Sequence, residues 1–396
     1  MSVGRIIDTL AEQLGIDPLT SGIQFVSTRH FDRSDAPTRG EERGPWAIEQ
    51  GLESYTAPLV PYPLCVSQPA IVHQSEGDPT LASVVPALLE RYPSQHTVYV
   101  ISAANTLQAL SLTDLGQIVP QNAPCSLYLP ALKPEEAQRD PEGPHWVVSR
   151  LLGPDGCHWD VQQTHKSLRP GLLEETYEVL EALDSGDTQA LEEELGDLFL
   201  QTLFHAEMAR QAGKFSLSDV YQHLCSKLIN RHPHVFGQLT VDGEGTVLSN
   251  WETIKSQELA AQGRARTSLL DGIPPALPAL ATAQKLCKKA ARTGFDWPDL
   301  KSLWGKLQEE LQELELELKQ ENNRERISEE LGDVLFALAN LARWQEIDSE
   351  SALRETNLKF RKRFQAIEKY ASEHEQDFSS LGVQKMIEIW NEAKAL

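Results

Sequence analysis

The sequence has few cysteines and no long apolar run. Its five cysteines are scattered and form no C-x-x-C pair, which indicates reduced thiols rather than a disulfide framework. The first residues alternate apolar with charged side chains, unlike a signal peptide, and no segment reaches the roughly 20 apolar residues that a membrane span requires. We therefore expect a cytoplasmic protein without a membrane partner.

Positive charge is also scarce. The 36 Lys and Arg residues stand against 58 Asp and Glu residues, which gives a formal net charge of -22. A surface of this charge repels nucleic acid, so we expect no nucleic-acid partner. It is compatible with a phosphate-bearing small molecule only where metal ions and a few local cations neutralise the site. Any phosphate-binding site must therefore obtain its positive charge from residues or metal ions at the site itself.

The length of the chain and the changes in its sequence pattern predict several domains. A chain of 396 residues exceeds the usual size of one hydrophobic core. The first third carries β-like runs at 96–101 and 125–129 and a helical pattern at 80–91, which predict a small α/β region. The polar stretch 133–143 contains two prolines and predicts a linker. The remainder is helical in pattern, with breaks at 237–245 and 272–275.

The helical part contains an internal repeat. Each copy has a tryptophan, then an E-E-x-x-E motif, then an E-x-x-D motif within the string Glu-Glu-Leu-Gly-Asp. A lysine and an arginine four residues apart follow, Lys227 and Arg231 in one copy and Lys359 and Arg363 in the other. The order and the spacing agree, so we expect two copies of one helical unit. The expected fold is mainly α, with an α/β region at 1–140 and helical domains at 141–265 and 266–396.

The acidic residues of each copy are spaced to meet between two helices. Positions i, i+1 and i+4 of an α-helix project from one side, and an i,i+3 pair shares a face. If the two helices run antiparallel, four or five carboxylates converge. Converging carboxylates repel unless a cation lies between them, and hard oxygen ligands select Mg²⁺ or Mn²⁺. The predicted metal ligands are Glu174, Glu175, Glu178, Glu194 and Asp197 in the first copy, and Glu309, Glu310, Glu313, Glu330 and Asp333 in the second.

A lone E-E-x-x-E motif is more often a solvated helix face than a metal site. Three features favour the metal site here: the second acidic motif one helix later, the nearby apolar residues, and the repetition. Gly186 and Asp187 predict the turn between the two helices of the first copy, and residues 321–323 predict it in the second. The apolar residues expected to pack around the first cluster are Leu172, Leu173, Val179, Leu180, Leu183, Leu195, Leu198, Phe199 and Leu203.

These motifs resemble those of the MazG family, within the all-α nucleoside triphosphate pyrophosphohydrolases. In the first copy the resemblance is carried by C-H-W-D at 157–160, Q-T-H at 163–165, the acidic motifs, and R-H-P-H-V-F at 231–236. In the second copy it is carried by G-F-D-W at 294–297, E-E-L-G-D at 329–333, and N-x-K-F-x-x-R-F at 357–364. The resemblance covers about 146–396.

The resemblance implies hydrolysis of nucleoside triphosphates to monophosphates and pyrophosphate, with Mg²⁺ dependence, broad base tolerance and a homodimer. A metal-activated water would attack the α-phosphate. We assign catalytic roles to Glu175 and Glu310, although which glutamate of each pair acts as base and which as ligand stays open. Expected substrate contacts are Lys227, Arg231, Asn357, Lys359, Arg363 and Trp390, where the alternatives are surface cations and a packing tryptophan.

Three further points stay open at this stage. The second copy is favoured as the active one, because it has the fuller set of Asn, Lys and Arg. The alternative functions are a narrower phosphoanhydride hydrolase, acting on dUTP, a damaged nucleotide or a guanosine alarmone, and a non-catalytic helical assembly protein. Parts of 1–140 resemble the C-terminal half of a tetrapyrrole methylase domain without its glycine-rich methyl-donor loops, so we expect no methyltransferase activity there.

Overall fold

The computed structural model describes residues 3–31, 62–118, 125–239, 243–261, 268–320 and 323–394. The chain divides into two compact units, residues 1–222 and residues 223–396. The predicted domain limits at 140 and 265 stay predictions. Among the described residues, no helix combines the length and the apolar character needed to cross a membrane.

A five-stranded sheet forms the centre of the N-terminal α/β region, with strand order β1-β2-β5-β3-β4. Strands β1 and β2 are parallel, and the pairs β2–β5, β5–β3 and β3–β4 are antiparallel. Buried side chains line both faces of β5, which lies at the middle of the sheet. The strands are β1 (Gln24–Ser27), β2 (Ala70–His73), β3 (Thr97–Ile101), β4 (Leu107–Ser111) and β5 (Ser126–Leu129).

The described residues of this region form four α-helices beside the sheet. Helix α1 buries Ile6 and Leu10 against Ile71 and Ile101, which forms a small core on one side. Helix α3 begins at an N-cap, because the Thr80 side chain accepts a hydrogen bond from the backbone N–H of Ser83. The helices are α1 (Val3–Leu14), α2 (Pro18–Ser21), α3 (Leu81–Leu89) and α4 (Leu112–Ile118). The predicted α/β character of this region is therefore confirmed, and α1, β1, β2 and β4 are additions to the sequence prediction.

The stretch predicted as a linker is a series of hydrogen-bonded turns that leads directly into helix α5 (Glu142–Leu151). The Arg91 guanidinium forms an ion pair with Asp140 at 3.2 Å. A Cβ atom added to Gly143 would lie only 2.1 Å from the backbone oxygen of Ala137. Only a glycine allows the start of α5 to approach these turns so closely. The 133–143 segment is thus a packed junction rather than a free linker.

The first helical copy consists of a long antiparallel helix pair and flanking helices. Val148 of α5 and Leu152, which caps its C-terminus, pack with Leu203 and Phe204 of the second long helix, and Leu217 completes this core. The helices are α6 (Arg169–Ser185), α7 (Thr188–Gln211), α8 (Leu217–Arg231), α9 (Pro233–Phe236) and α10 (Glu244–Ala261). The first compact unit ends within α8, at residue 222.

The second helical copy has the same order of elements. Its long helix pair buries Leu307, Val334 and Ala337, and its last two helices bury Ile367 and Ile389 in a separate cluster. The helices are α11 (Ala279–Arg292), α12 (Leu300–Leu318), α13 (Arg324–Trp344), α14 (Ser349–Glu373) and α15 (Gly382–Lys394). The prediction of a mainly α fold with two helical units after a small α/β region is confirmed.

Candidate metal and phosphate site

A tight turn between α6 and α7 positions the acidic residues of the first copy. Gly186 ends α6 in the left-handed conformation, with φ of 70°. Asp187 caps α7, because its Oδ1 accepts hydrogen bonds from the backbone N–H groups of Gln189 and Ala190 at 3.0 and 3.1 Å. The predicted turn is therefore present, and it folds the two helices back on each other.

Three carboxylates of the first copy meet between these helices. One oxygen each of Glu175, Glu194 and Asp197 lie within 4.8 Å of one another, and all three residues are half-buried. Burial raises the pKa of Glu175, and the charges of Asp197 and Glu178 raise it further. Burial followed by the charges of Glu178 and Asp197 raises the pKa of Glu194 in the same way. Among the residues that the structure describes, no cation is among the causes that act on these two carboxylates, so the cluster gathers like charges.

The other predicted ligands of this copy take different positions. Glu178 acts on Glu175 and Glu194 through its charge and lies one turn from Glu175. Glu174 is exposed and is not part of the group that meets within 4.8 Å. The helix rotation explains the difference, because adjacent residues are separated by about 100° around the axis. The glutamate of this pair that faces the neighbouring helix is Glu175.

The prediction that apolar side chains enclose the first cluster is largely wrong for the single chain. Leu203 is buried, whereas five of the residues expected to pack there are exposed. These exposed residues are Leu172, Leu173, Leu183, Leu195 and Phe199. Within the described part of the chain, these residues leave an apolar surface on the α6–α7 pair. Such a surface is characteristic of an interaction face.

The second copy repeats the cluster in a more buried setting. One oxygen each of Glu310, Glu330 and Asp333 lie within 4.8 Å of one another. Glu310 and Glu330 are only 7% and 6% exposed, and Asp333 is exposed. Burial raises the pKa of Glu330, and the nearby guanidinium of Arg326 opposes that rise. Glu313 acts on Glu330 through its charge, while Glu309 is exposed.

Two cations that the sequence analysis did not single out contact this second cluster. The ammonium group of Lys306 lies 2.7 Å from Glu309 and 2.9 Å from Glu310. The guanidinium of Arg326 lies 2.8 Å from Glu329 and 3.1 Å from Glu330. The i,i+3 and i,i+4 spacing of these pairs on one helix is a signal that could have identified them.

The first copy has no cation at the corresponding sequence positions. Four residues before Glu175 stands Gly171, where Lys306 stands before Glu310. Four residues before Glu194 stands Ala190, where Arg326 stands before Glu330. The two clusters therefore share their carboxylates and differ in their charge balance.

Both clusters fit a divalent metal ion of the Mg²⁺ or Mn²⁺ type. Each brings three carboxylate oxygens to one place, and such hard ligands bind these ions in preference to softer metals. Burial, and then neighbouring carboxylates, raise the pKa values of Glu175 and Glu194, and a bound cation would favour their charged forms. The ligand roles themselves stay predictions.

The predicted phosphate-binding residues of the first copy lie at the end of α8. Arg231 donates hydrogen bonds to Glu258 from Nε and Nη2 at 2.9 and 2.6 Å, and its guanidinium lies over the Trp251 ring at 5.0 Å. Lys227 is half-buried one turn earlier on the same helix. Arg231 is thus engaged by an acidic and an aromatic partner.

The corresponding residues of the second copy lie on α14 and α15. Lys359 is exposed and lies 3.7 Å from Glu355, which precedes it by one turn. The guanidinium of Arg363 lies over the Trp390 ring at 5.5 Å. Trp390 also packs edge-on against Phe360, so a packing role for this tryptophan is established alongside the predicted base contact. Asn357 is exposed on the same helix.

The G-F-D-W motif of the second copy organises the loop before α12. The Asp296 carboxylate accepts hydrogen bonds from the Arg343 guanidinium, at 2.5 and 3.1 Å, and from the Trp344 indole at 3.1 Å. A cavity of about 720 Å³ lies beside this loop, lined in part by Phe295, Trp297 and Phe336. Phe336 lies on α13, one helical turn after Asp333, and the cluster carboxylates are not among the lining residues of the cavity.

The chain is similar in sequence to known proteins. The pattern of the MazG nucleotide pyrophosphohydrolase domain matches residues 163–236 and 299–367, which include both clusters. A Thermotoga maritima protein named nucleoside triphosphate pyrophosphohydrolase/pyrophosphatase MazG is 41% identical over 248 residues, covering 63% of this chain and 93% of its own. The nucleoside triphosphate pyrophosphohydrolase of Escherichia coli is 40% identical over 250 residues, covering 63% of this chain and 94% of its own.

A relative that extends further towards the N-terminus is the uncharacterised protein YabN of Bacillus subtilis. It is 40% identical over 329 residues, covering 82% of this chain and 67% of its own. The two domain matches confirm the internal repeat that the sequence predicts. The resemblance of 1–140 to part of a methylase domain stays a prediction. On its motifs, its repeated site and its relatives, the chain belongs to the MazG family of nucleotide pyrophosphohydrolases and contains that family's domain twice.

Proposed function

We propose that this protein hydrolyses nucleoside triphosphates to nucleoside monophosphates and pyrophosphate, with Mg²⁺ as the metal ion and Mn²⁺ as a substitute, and with broad base tolerance. The observation that carries the proposal is the repeated meeting of three carboxylate oxygens within 4.8 Å, between two antiparallel helices in each copy. The names of the Thermotoga maritima and Escherichia coli relatives support the same reaction.

The reaction forms a bond from a water oxygen to the α-phosphorus and breaks the bond from that phosphorus to the oxygen shared with the β-phosphate. Pyrophosphate leaves, and a carboxylate accepts the water proton. Bound Mg²⁺ supplies charge neutralisation of the phosphates and lowers the pKa of a coordinated water. We assign proton acceptance to Glu175 or Glu310, because these glutamates face the clusters whereas Glu174 and Glu309 are exposed.

The second copy is the stronger candidate for the active site. Lys306 and Arg326 hold positive charge against Glu310 and Glu330, where incoming phosphates need cations. With the carboxylates held by a divalent ion, Lys306 and Arg326 would be free to contact the triphosphate. The first copy, with Gly171 and Ala190 at the corresponding positions, lacks this contribution.

The remaining predicted substrate contacts belong to the same proposal. Lys359 and Arg363 share one face of α14 by their spacing and would hold the phosphates together with Asn357. Lys227 and Arg231 would do so in the first copy, where Arg231 must first exchange its bond with Glu258. Trp390 would stack on the base while it keeps its contact with Phe360.

We also propose a cytoplasmic homodimer. All five cysteines are free, as expected for a reducing compartment. The apolar residues Leu331, Leu335 and Leu338 follow one another along a single side of α13, and each is more than 40% exposed. A second copy of the chain, packed against this side, would bury them.

The test is release of pyrophosphate and AMP from ATP with and without Mg²⁺, followed by a panel of nucleotides. Both products together distinguish this reaction from removal of the γ-phosphate. Selective hydrolysis of dUTP, a damaged nucleotide or a guanosine alarmone would support the narrower alternative. If the protein releases no pyrophosphate from any of these nucleotides, the proposal is contradicted. The alternative of a non-catalytic helical assembly protein would then remain.

The active copy is identified by parallel variants. Glu310→Gln should lower pyrophosphate release more than Glu175→Gln does. Glu315→Gln is the matched control, because Glu315 lies on the same helix as Glu310 but pairs with Lys319 in solvent. Equal residual activity of the Glu175 and Glu310 variants would contradict the ranking of the copies without affecting the proposed reaction.

A further inference from the structure

A large cavity lies where the N-terminal α/β region meets helix α5. Its volume is about 940 Å³, within the range of sites that bind small molecules. Its walls include Tyr62 and Arg91 from the α/β region, His145 and Trp146 from α5, and Arg210 from α7. All of these belong to the first compact unit. The carboxylate clusters are not part of its lining, so the cavity is separate from the proposed catalytic chemistry.

The walls are held in place by specific contacts. The backbone N–H of Leu132 donates to the Val66 oxygen at 2.8 Å, which fixes the start of the turns that border the cavity. Gly143 packs against the Ala137 backbone at the opposite end of these turns. A cavity with such fixed walls loses little conformational entropy when a ligand binds.

One wall carries a guanidinium whose orientation is set by a buried carboxylate. Glu207 is completely buried and accepts hydrogen bonds from Nε and Nη2 of Arg210 at 2.7 and 2.6 Å. Hydrogen bonds from Arg210 and Gln211 lower the pKa of Glu207 to about 2, so it stays ionised. Ser149 also donates to it at 3.3 Å. The Arg210 side chain itself is 49% exposed and lines the cavity.

A second guanidinium, that of Arg91, also lines the cavity. Arg91 pairs with Asp140 at 3.2 Å and lies over the ring of Tyr62 at 5.0 Å from its centroid. Asp140 is therefore already neutralised, and the remaining acidic residue of the lining, Glu142, is exposed. Both arginines therefore line the cavity with their orientation fixed by a carboxylate, Arg91 by Asp140 and Arg210 by Glu207.

Two polar atoms of the lining, the Tyr62 hydroxyl and Nε2 of His145, are buried without a hydrogen-bond partner among the described residues. Nε2 of His145 lies 3.7 Å from the Glu207 carboxylate, within ion-pair range, so the Tyr62 hydroxyl is the atom that needs a partner from elsewhere. A buried polar group without a partner is costly, and its presence calls for a bound water, ion or ligand. A tyrosine hydroxyl is a good donor to a charged oxygen, and the histidine ring can donate as well.

We propose that this cavity binds a small molecule carrying a phosphate group, whose oxygens accept hydrogen bonds from Tyr62, Arg91 and Arg210. A phosphate group has more acceptor oxygens than the two of a carboxylate, so it can accept hydrogen bonds from all three of these side chains. The cavity exceeds the size of a free phosphate ion, so an organic part rests against the exposed ring of Trp146. This site does not depend on the proposed hydrolysis.

The test is calorimetric titration of the full-length protein with AMP, inorganic phosphate and adenosine, in EDTA to suppress metal-mediated binding at the clusters. AMP should bind and adenosine should not. Tyr62→Phe should weaken AMP binding about tenfold, the effect of one hydrogen bond to a charged oxygen. Arg91→Lys should weaken it too, because lysine cannot present the planar fork of donors.

Tyr92→Phe is the matched control. Its hydroxyl is also buried without a partner, but Tyr92 is not part of the cavity lining. Both phenylalanine variants should unfold at or above the temperature of the unmodified protein, because each loses only an unpaired hydroxyl. The proposal is overturned if neither AMP nor phosphate binds, if adenosine binds as well as AMP, or if Tyr62→Phe and Tyr92→Phe change the affinity equally.

Discussion

The ammonium group of Lys306 lies 2.9 Å from the Glu310 carboxylate, at the edge of the second acidic cluster. Hydrogen bonds to Glu309 and Glu310 raise the pKa of Lys306, so this side chain stays charged. Glu175, the counterpart of Glu310, has burial and neighbouring carboxylates acting on it instead. The two copies therefore present the same metal ligands with different internal charge, and their responses to charge removal should differ.

Glu175→Gln should stabilise the metal-free protein, whereas Glu310→Gln should not. The first change removes one of several repelling carboxylates, and the second removes the partner of a charged lysine. We expect the midpoint of thermal unfolding in EDTA to rise by about 2 °C or more for Glu175→Gln. It should stay level or fall for Glu310→Gln. A rise of the same size in both variants would contradict the charge difference between the copies.

The stabilisation by Glu175→Gln should depend on pH. The folded-state pKa of Glu175 is raised above its ordinary value of 4.5, so between these two pKa values the folded state holds more protons than the unfolded state. The free energy of unfolding then falls as pH rises through this interval, and the penalty is fully present above the folded pKa. It is absent below 4.5.

The measurement is the difference in unfolding temperature between Glu175→Gln and the unmodified protein, followed from about pH 4 to pH 8 in EDTA. This difference should grow with pH and then level off. Saturating Mg²⁺ should reverse its sign, because the ion binds the carboxylate form and the variant lacks one ligand. A difference that is constant across the pH range would show that Glu175 titrates normally.

Sequence patterns predict those parts of the site that depend on local geometry. The i,i+3 and i,i+4 spacing of the acidic residues and the turn at Gly186 and Asp187 are properties of single helices and their ends. Packing decides which member of each Glu-Glu pair faces inward, since the two side chains point about 100° apart around the helix. The sequence named Glu175 and Glu310 as catalytic but kept Glu174 and Glu309 as ligands of the same clusters, and only the structure separates the members of each pair.

The sheet also shows what sequence patterns alone do not predict. The run at 126–129 was identifiable as a strand from its own composition, but its position between β2 and β3 depends on pairing with residues far away in the sequence. The exposure of Leu195 and Phe199 was equally beyond the sequence, because an apolar helix face can be covered by the same chain or by another one.

Lys306→Met should lower kcat/KM for ATP at least about tenfold if the second copy is the active one, because the triphosphate loses one cation. Lys319→Met is the matched control, since Lys319 lies just after the same helix and pairs with the exposed Glu315. The assay is pyrophosphate release at saturating Mg²⁺. If kcat/KM is unchanged in Lys306→Met, Lys306 only balances the charge of the neighbouring carboxylates and does not contact the triphosphate.

Leu335→Glu should convert the proposed dimer into a monomer. Leu335 lies at the centre of the exposed stripe that it forms with Leu331 and Leu338, and a charge buried there without a partner would strongly disfavour association. Sedimentation equilibrium of the unmodified protein should give twice the chain mass of 44.2 kDa, and the variant should give the mass of one chain.

Val383→Glu is the control for that experiment. Val383 is 72% exposed on α15, outside the stripe, so its substitution should leave the mass of the assembly unchanged. Circular dichroism should show that both variants keep their helix content, because neither side chain belongs to a buried core cluster. If the unmodified protein is a monomer, the proposed dimer is refuted. If Leu335→Glu is still a dimer, the interface lies on a different face. The exposed Leu195 and Phe199 of the first copy are then the next residues to substitute.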